Sequence, residues 1–192
     1  CQGRTDGSFD PAAPVTRAEM AVIICKILHG ADVSPDNFTG TQQFTDVPAW
    51  AEGYVNMCSA LGIIAGRGNG IFDPDTTVTT VEAATMLLKA LGYYVTVNDA
   101  LGADWDLEVT SRANMLGLYG DLTLNMRAPL TRDNVAELVY NTLFAQMVAF
   151  NDYRGQYVKN TNRDVVVTAG TDDEANTLAY NTFKLYVVEG IV

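Results

Sequence analysis

This 192-residue chain offers one histidine, three cysteines and 23 scattered carboxylates to acid–base, nucleophilic or metal chemistry. His29 stands alone, so no histidine-based triad can be assembled, and neither H-E-x-x-H nor G-x-S-x-G occurs. Cys1, Cys25 and Cys58 lack the C-x-x-C spacing of a metal or redox site. Cys25 and Cys58 fall within apolar helical patterns, where a free thiol serves as a small hydrophobe. Asp6, Ser8 and Asp10 alternate like calcium ligands, echoed by Asn69 and Asp73, but the loop lacks the length and bidentate glutamate of an EF-hand. Turn formation accounts for them. No carboxylate pair can be nominated for glycoside hydrolysis, because the acids are scattered or stand at helix caps. The expectation is a non-catalytic chain with no metal and no cofactor.

The residues that do recur at fixed spacing are of another kind. Thr16 and Glu19 have the S/T-x-x-E spacing of a capping box, as do Thr79 and Glu82. Arg17 follows Thr16, and Arg132 follows Thr131, whose helix carries Asn134 where the box glutamate would stand. His29, near the end of its helix, needs no role beyond C-terminal capping.

These positions belong to a repeat. Gly3-Arg4-Thr5-Asp6-Gly7-Ser8-Phe9-Asp10-Pro11 returns 63 residues later as Gly66-Arg67-Gly68-Asn69-Gly70-Ile71-Phe72-Asp73-Pro74, and Thr16 returns as Thr79 without a gap. Fixed-period similarity signals supersecondary units that share a core. A third copy shifts Trp50, Leu61 and Gly62 by 55 residues to Trp105, Leu116 and Gly117, but Thr79 by 52 to Thr131. Its loop, Leu118 to Pro129, has lost the Asp-Gly and Phe-Asp-Pro features. Cys1 aligns with Ile64, inside a repeat, so the first copy enters halfway.

Apolar periodicity supplies the elements. After Thr16, Met20, Ile23, Ile24, Ile27 and Leu28 form one stripe that Gly30 ends. The pattern predicts a helix from Ala49 to Leu61, with Trp50, Tyr54, Val55, Cys58 and Leu61 on or near its buried side and Gly62 closing it. A further helix follows Thr79 with Ala83, Met86, Leu87, Ala90 and Leu91 inward. Another follows Thr131 with Val135, Leu138, Val139 and Leu143 inward. Trp50 and Trp105, at helix starts, are expected to pack against neighbouring repeats. From about Asn151 the character changes. Tyr153–Lys159, Asp164–Thr168 and Leu185–Val192 read as strands, with Thr161-Asn162 as a turn and Glu174–Phe183 as a short helix. A terminal strand needs partners for its backbone groups, so the polypeptide is expected to continue into a further β-containing domain.

Phe44-Thr45-Asp46-Val47-Pro48 with Trp50, then Leu61-Gly62-Ile63-Ile64, Gly66-Arg67, Phe72-Asp73-Pro74 and Val78-Thr79 with Glu82, strongly resembles the S-layer homology (SLH) domain. Residues 44–92 resemble one full repeat, 1–30 the second half of another, and 104–147 a divergent third, with 151–192 outside the resemblance. It implies a mainly α fold, with three helix-loop-helix repeats in a pseudo-threefold bundle and ligand grooves between them. It also implies an extracellular place at a bacterial cell wall or surface layer, and non-covalent binding of peptidoglycan-linked secondary cell-wall polysaccharide, often pyruvylated. The family's contact is the basic residue of the Thr-Arg-Ala-Glu motif. Carried over by position, the role falls to Arg17 and Arg132, with Arg67 and Arg4 as additional cations and Thr80 unable to serve. A guanidinium suits a ketal-linked carboxylate because its planar fork donates two parallel hydrogen bonds. Thr16, Glu19, Thr79, Glu82 and Thr131 are then helix caps.

Net charge of −11 repels phosphate backbones and anionic lipid, which excludes nucleic acid and membrane surfaces as partners. No apolar run has transmembrane length. The alternative to wall anchoring is self-association, with the repeats making protein–protein contacts in a surface layer or appendage. A third reading is a wall-bound enzyme whose catalytic part lies beyond Val192.

Overall fold

A computed structural model describes residues 7–38, 43–93, 105–151, 156–159 and 176–185. Arg4, Cys1, Asp6, the strand expected at 164–168 and nearly all of the one from Leu185 lie outside them. The described chain is mainly helical: α1 (Arg17–His29), α2 (Ala49–Ala60), α3 (Thr80–Ala90), α4 (Trp105–Met115), α5 (Arg132–Phe144) and α6 (Leu178–Phe183). A 3-10 turn spans Pro35–Phe38, and β1 (Val148–Asn151) pairs antiparallel with β2 (Gln156–Lys159), Val148 opposite Lys159. β1 was not foreseen, and α6 is shorter than the expected Glu174–Phe183 because Thr177 caps it by accepting the Tyr180 N–H.

The helix starts are set locally. Thr16 Oγ1 accepts the Glu19 N–H at 3.2 Å, and Glu19 Oε2 accepts the Thr16 N–H at 2.9 Å. Thr79 and Glu82 repeat both bonds at 3.4 and 3.1 Å. Thr131 keeps the first half only, taking the Asn134 N–H at 3.3 Å. Each bond satisfies a backbone donor that a helix end leaves unpaired.

Tertiary packing joins the three starts. Val15, Val78 and Leu130, at equivalent positions just before the capping threonines, are buried and bonded in a ring. Val15 donates its N–H to Leu130 O, Leu130 to Val78 O and Val78 to Val15 O, each at 3.0 Å. The next donors go round the three repeats in the opposite sense. Arg17 and Ala18 donate to Thr76 O and Pro74 O, Thr80 and Val81 to Ala128 O and Met126 O, and Arg132 and Asp133 to Ala13 O and Pro11 O. Thus each repeat's loop supplies the acceptors for another repeat's helix start.

α1 packs against α2 and α3 against α4. α1 is buried over more than the predicted stripe, because Ala18, Ala21 and Cys25 are also fully enclosed between its neighbours. On α2 the expected inward set is corrected. Trp50 and Leu61 are 54% and 56% exposed, whereas Ala51, Gly53, Asn56 and Met57 turn inward with Val55 and Cys58. Trp105, by contrast, packs against the core as expected. α5 buries only Val135, Leu138 and Thr142. Its Ala136 and Tyr140 are exposed, although the equivalent Ala21 and Cys25 of α1, and Ala84 and Leu88 of α3, are fully buried. The described part of the tail joins the same core. Leu178 is fully buried, Met147 donates to Asn176 O, and Val148 donates to Leu91 O at 2.8 Å.

Candidate functional site

The first residue of each helix that follows a capping threonine points at the loop of another repeat, and its chemistry differs between repeats. Arg17, 4% exposed, donates from Nε to Phe72 O at 3.1 Å and from Nη2 to Ala65 O at 2.8 Å. Its guanidinium carbon also lies 4.7 Å from the centre of the Phe72 ring. Thr80 occupies the same place in the second repeat, where its hydroxyl donates to Asn125 O at 2.9 Å. In the third, Arg132 lies 4.8 Å over the ring of Phe9, which is the counterpart of Phe72. Two guanidinium–aromatic contacts and one hydroxyl therefore fill three equivalent positions.

A box glutamate stands beside each arginine. Arg132 Nη1 is 3.8 Å from Glu19 Oε1, with side-chain exposures of 13% and 41%. Beside Arg17, Glu82 pairs instead with Arg67 Nη2 at 3.1 Å. Burial first, and then the Arg67 charge, pull the Arg17 guanidinium below its ordinary pKa, while Glu82, Asp73 and Asp46 act in the opposite sense. Asp46 also organises the loop, its two carboxylate oxygens accepting the N–H groups of Phe72 and Asp73 at 2.8 and 2.7 Å. Desolvation raises its pKa, but those two bonds and the Arg17 charge outweigh it and the net shift is downward. At the third position Thr80 and Asn134 replace arginine and glutamate, so no ion pair of this type can form there.

Arg132 and Glu19 open onto a groove of about 500 Å³. Val22, Ile23 and Lys26 of α1 form one wall, Trp50 and Tyr54 of α2 another, and Phe183 of α6 also lines it. Tyr54 is held by its hydroxyl, which donates to Val33 O at 3.3 Å. This combines apolar and aromatic area with a few convergent polar groups, the usual make-up of a small-ligand site. Two cations, Arg132 and Lys26, and one carboxylate, Glu19, line it.

Of the described arginines expected to contact ligand, Arg17, Arg67 and Arg132, only Arg132 lines this groove. Arg17 is turned into the Phe72 loop, Arg67 is ion-paired and partly exposed on the neighbouring loop, and Arg4 is outside the described residues. Lys26, Trp50 and Tyr54 were missed as groove residues. The signal was available, because Glu19 and Lys26 are seven apart on a helix and Trp50 and Tyr54 four apart, spacings that share a face. No group of three or more potential metal ligands is present among the described residues.

Comparison with known proteins agrees with this architecture. Residues 2–21 and 43–84 match the S-layer homology domain. The chain is 30% identical, over 99% of its length, to a cell surface protein of Thermoanaerobacter kivui, and covers 24% of that protein. It is 30% identical over 93% of its length to the middle cell wall protein of Brevibacillus brevis, covering 18% of it. A cellulosome-anchoring protein of Acetivibrio thermocellus is 37% identical over 47% of the chain, which covers 20% of that relative. The chain thus spans about a quarter or less of these relatives. The ring of cap segments, the repeated Thr-x-x-Glu boxes and the Phe-Asp-Pro loops have one common explanation: the chain belongs to the S-layer homology family, as an extracellular module of a bacterial cell-surface protein.

Proposed function

We propose that this chain is the wall-anchoring part of a larger exported protein, its repeats forming a pseudo-threefold bundle that binds secondary cell-wall polysaccharide non-covalently. The cyclic hydrogen bonding of Val15, Leu130 and Val78 supports the bundle. The observation that carries the binding reading is the groove lined by Arg132 and Lys26 together with Trp50 and Tyr54. The two cations suit the carboxylate of an acidic glycan, and the aromatic faces suit the C–H faces of sugar rings. Local positive charge is what a chain of net charge −11 needs to hold an acidic polymer. Arg17 acts as a positioning residue, fixing the Phe72 loop, and Arg67 serves as a cation at the second, Glu82-containing position.

The test is sedimentation of the chain with purified cell-wall sacculi, before and after chemical removal of the attached secondary polymer. Wild type should bind only polymer-bearing sacculi, and Arg132→Ala with Lys26→Ala should weaken binding at least tenfold while leaving the circular dichroism spectrum unchanged. Failure of folded wild type to bind polymer-bearing sacculi overturns the proposal. A second reading, contacts between proteins in a surface assembly, has one observation behind it: Ala136 and Tyr140 stay exposed on α5 where their counterparts on α1 and α3 are covered. Concentration-dependent association that Tyr140→Glu abolishes would favour it.

A further inference from the structure

We propose that Cys25 and Cys58 are a disulfide site that staples α1 to α2. Both are wholly buried, and their sulfurs are 3.5 Å apart across the helix interface. A disulfide has an S–S length of about 2.05 Å, so closing the bond takes about 1.5 Å of sulfur movement.

The internal repeat shows that packing alone does not require sulfur here. Cys25 is equivalent to Leu88, and Cys58 to Ala113, and these form the matching positions of the α3–α4 pair. Leu88 and Ala113 are also fully buried. One interface therefore fills the two positions with a large and a small hydrocarbon, whereas the other fills both with thiols. The environment suits oxidation, because an extracellular chain is beyond the thiol-reducing systems of the cytosol.

The chemistry fixes when the bond forms. Two S–H bonds break and one S–S bond forms. The electron pair reduces a low-molecular-weight disulfide to two thiols, which take up the two protons. The attacking species must be a thiolate. In the closed structure, the hydrogen bond with Cys25 and then burial push the Cys58 thiol well above its ordinary pKa. Neither sulfur meets solvent. Oxidation accordingly accompanies folding, and the finished crosslink is then sheltered from reductants. α1 and α2 supply two walls of the groove, so the staple fixes their separation, but it stands whether or not the groove binds glycan.

The experiment uses the 192-residue chain carrying Cys1→Ser, refolded from denaturant with oxidised glutathione or with reductant. Remaining thiols are alkylated under denaturing conditions, followed by intact mass and peptide mapping. The expected result is a monomer with no alkylation and a crosslinked Cys25–Cys58 peptide. Its Tm should lie about 10 °C above the reduced form, the scale for tying residues 33 apart in a chain of this size. Two alkylated thiols or glutathione adducts in the refolded protein overturn the proposal, as does a crosslink that leaves Tm unchanged. A Cys25→Leu, Cys58→Ala double variant copies the α3–α4 pair, and its Tm should be insensitive to reductant. Sensitivity there assigns the shift elsewhere and also overturns the proposal.

Discussion

Replacing Arg17 by alanine should lower the melting temperature well beyond what replacing Arg132 does. Arg17 makes two guanidinium–carbonyl hydrogen bonds, to Phe72 O and Ala65 O, and lies over the Phe72 ring with 4% of its surface exposed. Hydrogen bonds to charged groups contribute about 1.5–3 kcal/mol each, and a desolvated guanidinium–aromatic contact up to about 2 kcal/mol. Truncation leaves two carbonyls short of a donor, but it also relieves the cost of burying the charge. The net loss is about 3 kcal/mol. For a chain of this size that lowers Tm by roughly 6–12 °C. Arg132 stacks on the partly exposed Phe9 and makes a longer contact with Glu19, so Arg132→Ala should cost about 1 kcal/mol. Arg17→Lys, which offers a point charge in place of a planar fork, should fall between wild type and Arg17→Ala. Urea titration and thermal melts of the four proteins decide the matter. An Arg17→Ala Tm within 2 °C of wild type, or equal losses for Arg17→Ala and Arg132→Ala, would refute the structural role.

Gly92 has φ of +95°, and a Cβ there would meet the Val148 backbone oxygen, so Gly92→Ala should cost about 3 kcal/mol and loosen β1 from Leu91. Gly62→Ala, at φ +68° with open space around it, is the control and should cost about 1 kcal/mol in the same urea titration. Asp46 supports stability in the sense set by its lowered pKa. Its contribution is complete above the unfolded value near 3.8 and is lost as pH falls through the still lower folded value. Asp46→Ala should therefore melt a few degrees below wild type at pH 7, and the gap should narrow as the pH falls below about 3.8. A gap that stays constant as the pH is lowered would assign the loss to something other than the carboxylate.

What the sequence determined by itself is what neighbours along the chain can decide. The capping boxes were legible because Thr16 and Glu19, or Thr79 and Glu82, satisfy each other's backbone groups within one helical turn, whatever else the chain does. The helices were legible through apolar periodicity, and the family through the multi-position repeat. The direction in which Arg17 points was not legible, because its acceptors stand 48 and 55 residues away on another repeat's loop. Nor was the exposure of Trp50, since its position on α2 reads as inward until the helix packs with Ala51 and Val55 against α1 instead. Arg17 and Arg132 each follow a capping threonine, yet one is locked into a loop and the other lines a groove. A residue's type and spacing set what it can bond; only the packing of one repeat on the next decides whether protein or ligand is there to be bonded.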